Sequence, residues 1–343
     1  MSERFSALQT WVAGALHRPT ADLELAAADA SFRRYYRVYH AHTSFIVMDA
    51  PPEHENCRAF VQVGGLLRAA GLHAPEVFAE DLERGFLLLS DLGRQSYLDV
   101  LTSGNADALF APVLAALVRW QGASYSGVLP LYDRALLRRE LELFPEWYLA
   151  RHCGLRLAAD EQAVLEHTFR LLEGSALAEP QVFVHRDYMP RNLMLSSPNP
   201  GVLDFQDALY GPLSYDVATL FRDAFISWDA ERIAVWRRQY HERARRAGLP
   251  VPDFAEFERA CDWMGMHRHF KVLGIFARLW HRDGKPKYFK DTPRFVRYLR
   301  EAGVRYPEFT PFLKLLDALE RRVPDTQVAE PGGSPAIAPG RRS

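Results

Sequence analysis

Phe5, Leu8, Trp11, Val12 and Leu16 recur at helical spacing, which predicts a helix over residues 2–17. The pattern then changes to short apolar runs bounded by turn residues. Leu23-Glu24-Leu25, a strand–turn–strand over 29–39, Ser44–Ala50, Pro75–Phe78 and Gly85–Ser90 read as strands. Pro51-Pro52 interrupts them, and Phe60, Val61, Leu66 and Leu67 predict a helix over 53–70. Beyond Asp91-Leu92-Gly93 the period is mostly helical: 110–121, 136–152, 159–173, 230–248, 254–280 and a final helix at 291–303. The expectation is an α+β chain with a small antiparallel-sheet lobe at 1–90 and a mainly helical lobe at 91–323. The last twenty positions, 324–343, are rich in Pro, Gly, Ala and Ser and read as a disordered tail.

One stretch inside the helical half returns to strand character. Val182-Phe183-Val184 leads into His185-Arg186-Asp187, and Asn192 opens a second apolar run, Leu193-Met194-Leu195. Pro198-Asn199-Pro200-Gly201 forces a turn, and Val202-Leu203 carries the chain to Asp204-Phe205. This layout is expected to bring Asp187, Asn192 and Asp204 to the same end of a hairpin. The spacing H-R-D-x-x-x-x-N followed by D-F resembles the catalytic loop and metal site of protein-kinase-like phosphotransferases. In that chemistry Asp187 accepts the proton of an attacking hydroxyl. Asn192 and Asp204 offer oxygens to magnesium, a hard cation that keeps several waters and needs few protein ligands.

Composition narrows the class. The 343 residues suffice for two lobes, and a net charge of -1 gives no basic excess for nucleic acid. Cys57, Cys153 and Cys261 are far apart and odd in number, so they read as free thiols in a reducing compartment. No apolar run reaches the ~20 residues of a membrane span, and the N-terminus has no signal-peptide core. A monomeric cytoplasmic protein with a small-molecule partner is expected.

The sheet lobe departs from the kinase pattern. The loop that should cover the ATP phosphates, around Ser31-Phe32-Arg33-Arg34, has no glycine, so Ser31, backbone amides and Arg33 or Arg34 would have to do that work. The strand that should carry a phosphate-binding lysine reads Met48-Asp49 instead. An arginine from the preceding hairpin could substitute, paired with Glu53 or Glu55; equally, these acids are what a first helical turn favours.

After Asp204 the chain reaches the next helix quickly, with no peptide-docking Ala-Pro-Glu segment, which favours a small acceptor. Asp216 reads either as a helix N-cap or, with His185, as a brace of the catalytic loop. Arg268, Lys271 and Arg278 form a basic stripe on the helix over 254–280, taken alone a solvated face. Glu142 and Trp147, with Glu140, are candidates for polar and flat apolar contacts to a small acceptor.

The catalytic loop, the Asp-Phe hairpin and Tyr215-Asp216 together resemble the aminoglycoside-phosphotransferase and choline-kinase group over about residues 20–320. Met48–Glu53, His185–Met194, Leu203–Ala208 and Arg268–Arg278 look more narrowly like bacterial anomeric sugar kinases of cell-wall recycling. That resemblance implies a bilobal protein-kinase-like fold, ATP and Mg2+, Asp187 as base, and Asn192 and Asp204 as magnesium ligands. It implies N-acetylmuramic acid and N-acetylglucosamine as acceptors and sugar 1-phosphates as products. Arg268, Lys271 or Arg278 would meet the sugar or its lactyl carboxylate. Two alternatives stay open: a kinase for an aminoglycoside or amino alcohol, and a nucleotide-binding pseudokinase.

Overall fold

Leu8, Val12 and Leu16, on one side of α1 (Glu3–Ala15) and its C-terminal turn, meet Tyr36, Val38, Val47, Phe86 and Leu88 from one face of a sheet. The computed structural model describes residues 3–28 and 32–323. Ser31 and the tail 324–343 therefore lie outside the described residues. The sheet is antiparallel, in the order β1-β2-β3-β5-β4, formed by β1 (Glu24–Ala28), β2 (Arg34–His40), β3 (Thr43–Asp49), β4 (Val77–Asp81) and β5 (Phe86–Ser90). Alternating positions of β2 and β3 face α1, as period-two burial requires.

The expected helix over 53–70 starts later, as α2 (Cys57–Ala69). Asn56 caps it, its side-chain oxygen accepting from Arg58 and Ala59 backbone N–H groups, so Pro51 to Glu55 stay in a turn. The chain continues through α3 (Tyr97–Val100), α4 (Ala106–Gly122) and α5 (Arg134–Leu143). The predicted helix over 136–152 is split: α5 is followed by a π-helical segment, Phe144–His152. Pro145 has no N–H to give the α ladder, and the wider register then appears in Cys153 N–H to Tyr148 C=O at 2.9 Å.

Next come α6 (Ala159–Ala178), β6 (Gln181–Val184), β7 (Leu193–Met194), β8 (Gly201–Val202) and β9 (Leu209–Pro212). The single expected hairpin is two pairings. β6 pairs with β9, and β7 pairs with β8. The remainder is α7 (Tyr215–Phe221), α8 (Ala230–Arg246), α9 (Phe254–His281), α10 (Thr292–Gly303) and α11 (Thr310–Glu320). The predicted last helix is thus followed by one more, whose Phe312, Leu315, Leu316 and Leu319 enter the core.

The chain forms two compact units. One comprises Met1–Val100, Leu109–Trp120 and Pro190–Ala208; the other comprises Leu101–Ala108, Gln121–Met189 and Leu209–Ser343. The first holds the five-stranded sheet, α2 and the β7–β8 hairpin. The second is organised on α9, whose Met266, Phe270, Leu273 and Ala277 meet Leu141, Phe144, Phe169, Phe295 and Phe312. All three cysteines are free and buried.

Gly274 lets α9 lie directly on the start of the π segment. A Cβ there would sit 2.4 Å from the Leu143 carbonyl carbon and oxygen, backbone atoms that cannot swing aside. At Gly265, on the same helix, the nearest atom to a Cβ is 3.7 Å away on His269. Gly274→Ala is therefore expected to cost about 3 kcal/mol in urea unfolding. Gly265→Ala should be neutral or gain up to ~1 kcal/mol, because alanine is the better helix former. Equal effects at the two positions would refute the close-packing account.

Candidate active site

The His185-Arg186-Asp187 segment follows β6 in the helical unit. His185 and Tyr188 are buried, whereas the Asp187 side chain is 43% exposed between them. Arg186 makes this possible by taking a left-handed backbone conformation, φ 75°. Two buried hydrogen bonds hold it there. Asp216, on α7, accepts from the His185 N–H at 2.8 Å and from the Arg186 N–H at 3.0 Å. Asp187 N–H donates to His185 Nδ1 at 3.3 Å. Burial pushes the Asp216 carboxyl up to about 7, against the pull of the two amides and Arg268.

Beneath the loop lies a charge network. Glu140 of α5 is buried and accepts from the Arg186 guanidinium, from the Tyr132 hydroxyl, and from Lys271 Nζ at 2.8 Å. Burial alone would raise its carboxyl, but Lys271 and Arg186 hold it down at about 2. Lys271 also reaches the Tyr215 hydroxyl at 3.2 Å. Arg268 is buried, donates from Nε to Thr219 Oγ1 at 2.8 Å, and carries its Nη2 to 3.7 Å from Asp187 Oδ1. Part of the expected basic stripe is therefore interior: Arg268 stands beside Asp187, and Lys271 neutralises Glu140.

Two of the other expected acceptor residues have partners of their own. Glu142 is exposed and pairs with Arg138 at 3.4 Å. Trp147 packs against the helical core with Arg151 over its ring. Arg278 is half-buried, its Nε without a hydrogen-bond partner among the described residues. Burial and Arg282 disfavour its charge.

Asn192 and Asp204 belong to the sheet unit and flank the β7–β8 hairpin. The Leu203 N–H donates to the Asn192 C=O at 2.9 Å, extending the ladder by one bond. Asp204, φ 62°, is again left-handed, and its carboxylate is 45% exposed. Phe205 beside it is fully buried against Phe60 of α2, ring centroids 4.7 Å apart, so the pair splits one residue inward and one outward. Asn192 Nδ2 lies 3.3 Å from Asp204 Oδ2, and Gln206 Nε2 bridges Asp204 Oδ1 at 3.1 Å and Asp207 Oδ2 at 3.3 Å. A half-turn of the Asn192 amide presents its oxygen instead of its nitrogen. Asn192, Asp204 and Asp207 then offer the hard oxygen donors that suit magnesium.

In the same unit Arg33 is buried, with Nη2 2.6 Å from Glu55 Oε2 and Nη1 3.9 Å from Asp204 Oδ1. Arg34 is exposed on β2. Asp49, where a lysine was sought, pairs with Arg4 of α1 at 2.7 Å. Asp91, just beyond β5 where the helical period begins, is held by Arg37 of β2 at 2.5 Å. Sequence reasoning missed Glu140 as the centre of a network. Its signal was a carboxylate on the apolar stripe of Leu137, Leu141 and Phe144.

The model of the Phosphotransferase enzyme family matches residues 22–251, and the chain belongs to that family. It is an enzyme of the kinase type with an α+β bilobal fold. An N-acetylmuramate/N-acetylglucosamine kinase of Pseudomonas aeruginosa is 55% identical over 327 residues, 92% of this chain and 97% of that one. The protein of the same name in Pseudomonas putida is 54% identical, over 88% of this chain and 89% of its own. Among solved structures, ADP-bound aminoglycoside phosphotransferase APH(2'')-Ib matches with TM-score 0.60 at 13% identity, over 88% of this chain and 98% of that one. The choline kinase LicA of Streptococcus pneumoniae gives 0.59 at 14% identity, over 88% and 100%. These last two show the fold. Among the described residues no helix is long and apolar enough to cross a membrane.

Removing the Asp216 carboxylate strands two buried amides, at ~1–3 kcal/mol each, while relieving the cost of burying the acid. Asp216→Ala is expected to lose about 2–4 kcal/mol in urea unfolding. A carboxyl raised in the folded state contributes stability below pH ~4 that is lost as pH rises toward about 7. The variant should therefore show a flatter fall in stability over that window. A loss below ~1 kcal/mol with an unchanged slope would remove Asp216 from this role.

Proposed function

We propose that this protein is a cytoplasmic, monomeric, ATP-dependent kinase that phosphorylates the anomeric hydroxyl of N-acetylmuramic acid and N-acetylglucosamine. The products are the sugar 1-phosphates, as suits recycling of peptidoglycan. The observation that carries this reading is the 55% identity to an N-acetylmuramate/N-acetylglucosamine kinase across nearly the full length of both chains.

Asp187 is the proposed general base. It takes the proton of the anomeric hydroxyl as that oxygen bonds to the γ-phosphorus and the bond to the ADP oxygen breaks. Its exposure beside buried neighbours favours contact with an incoming hydroxyl, and Arg268, 3.7 Å away, helps aim it. Asn192 and Asp204 are the proposed magnesium ligands, with Gln206 holding Asp204 and Asp207. When bound, the ion neutralises charge on the nucleotide phosphates. Lys271, Arg186 and Tyr132 act through Glu140 on the loop rather than on the sugar.

For the acceptor we assign Arg278 to the lactyl carboxylate. Burial and Arg282 disfavour its charge where it stands, and a carboxylate beside the guanidinium would offset that. Trp147 is proposed to offer its face to the sugar ring, and Glu142 a hydroxyl contact.

Phosphorus NMR after incubation with Mg-ATP and either sugar should show a phosphate coupled to the sugar H1. Asp187→Asn should lower kcat about a thousandfold or more while ADP still binds. Near-normal turnover in that variant would exclude Asp187 as base. Arg278→Ala should raise KM for N-acetylmuramic acid by about tenfold or more and leave N-acetylglucosamine, which has no lactyl group, nearly unaffected. Equal changes for both sugars would withdraw the carboxylate assignment.

A further inference from the structure

Phosphoryl transfer needs cations against the nucleotide phosphates, and in kinases one of them is commonly a strand lysine paired with a glutamate. This chain has no lysine before Lys271, so the sheet unit as defined above contains none. Its β3 ends in Asp49, which is occupied by Arg4. Of the sheet unit's arginines, two are buried, Arg33 and Arg37. Arg37 is committed to Asp91 at 2.5 Å and to the Gly93 carbonyl at 3.0 Å. Arg33 is the one that stands beside Asp204.

We propose that Arg33 is the phosphate-binding cation of the nucleotide site and that Glu55 positions it. The inference rests on the kinase reading and deepens it. One carboxylate fixes both ends of the short segment: Glu55 Oε1 accepts the Phe32 N–H at 3.2 Å, and Oε2 takes Arg33 Nη2 at 2.6 Å. The other arm of the guanidinium points toward Asp204, at 3.9 Å, beyond hydrogen-bond length but inside strong Coulomb range. Tyr35 also hydrogen-bonds the guanidinium, and a cation held in this way next to a half-exposed acid of the proposed metal site stands where a phosphate oxygen would meet it. A planar guanidinium can serve several acceptors at once, which a lysine point charge does less well. Glu55 lies ahead of α2, in the Pro51–Glu55 turn, so anchor and glutamate both come from loops rather than from a strand and a helix.

The test uses the full chain with Arg33→Ala, the similar-sized uncharged Arg33→Met, Glu55→Gln and the Arg33→Met/Glu55→Gln pair. ADP and adenosine binding are measured by calorimetry, and KM for ATP and kcat in the sugar-kinase assay. Both Arg33 variants should weaken ADP about thirtyfold or more and leave adenosine within about twofold, because the lost contact is to phosphate. KM for ATP should rise in parallel. Glu55→Gln should cause a smaller loss that vanishes when Arg33 is already Met, since Glu55 acts through it. Unchanged ADP affinity, or equal losses for ADP and adenosine, would overturn the proposal. A wild-type protein that binds ADP but phosphorylates neither sugar would sink the sugar-kinase reading, while the ADP-against-adenosine contrast would still decide Arg33's role.

Discussion

The carboxylate of Asp216 is the interaction on which the loop of the proposed base depends. The loop must expose one acid while its neighbours on both sides enter the core. Strand β6 ends at Val184, and Arg186 turns the chain out of the strand through a left-handed backbone, a conformation that costs ~1–2 kcal/mol for a residue with a side chain. That strain leaves the amides of His185 and Arg186 pointing into a region with no strand to receive them. Asp216, with no solvent exposure, accepts both. The Arg186 side chain then finishes on Glu140, so backbone and side chain of the strained residue are each fixed by a buried acid. Burying Glu140 would be prohibitive without Arg186 and Lys271, so α5, α9 and the loop are ordered together.

A related logic governs charge in the sheet unit. Asp49 at the end of β3 is one carboxylate among apolar neighbours, and Arg4 reaches it from α1 while stacking over Phe86. This fixes the N-terminal helix on the sheet. Arg33, just ahead of β2, is balanced by Glu55 instead. The acids that hold the two arginines have different surroundings. Asp49 and Arg4 form a closed pair, whereas Arg33 keeps a second arm toward a carboxylate that is nearly half exposed.

The order of elements was legible because it rests on local period. Leu8, Val12 and Leu16 announce α1, and the runs at Tyr36–Tyr39 and Ser44–Asp49 announce the central strands. What sequence reading lost were features set by long-range partners. β9 is four residues with a glycine and a proline, and it is a strand because β6 needs a partner. The π-helical turn after Leu143 is invisible to a count of apolar positions, since Pro145 changes the ladder without changing the stripe. α11 does carry a helical stripe, but a reading that ended at Gly303 passed over it. The residue types around Asp187, Asn192 and Asp204 were legible from spacing alone. The left-handed residues were not, because neither Arg nor Asp signals that conformation. Glu55 was legible only as one of two possible acids; its two-point grip on Phe32 and Arg33 depends on a turn whose shape no pattern reveals.

Fold alone does not say which hydroxyl this enzyme phosphorylates, since its structural neighbours include an aminoglycoside phosphotransferase and a choline kinase at 13% and 14% identity. Charge bears on the choice. A polycationic acceptor needs unpaired carboxylates near the base, and a quaternary ammonium needs a cage of aromatic faces. Glu140, a buried acid beneath the loop, is already neutralised by Arg186 and Lys271 and has no attraction left for a cation. The residue that approaches Asp187 is itself cationic, Arg268, and nearly three turns further along α9, past Gly274, stands Arg278, whose Nε has no hydrogen-bond partner among the described residues. An arrangement that presents positive charge from α9 disfavours amines and favours a neutral or acidic acceptor, and among amino sugars with a free anomeric hydroxyl the one bearing a carboxylate gains most from it.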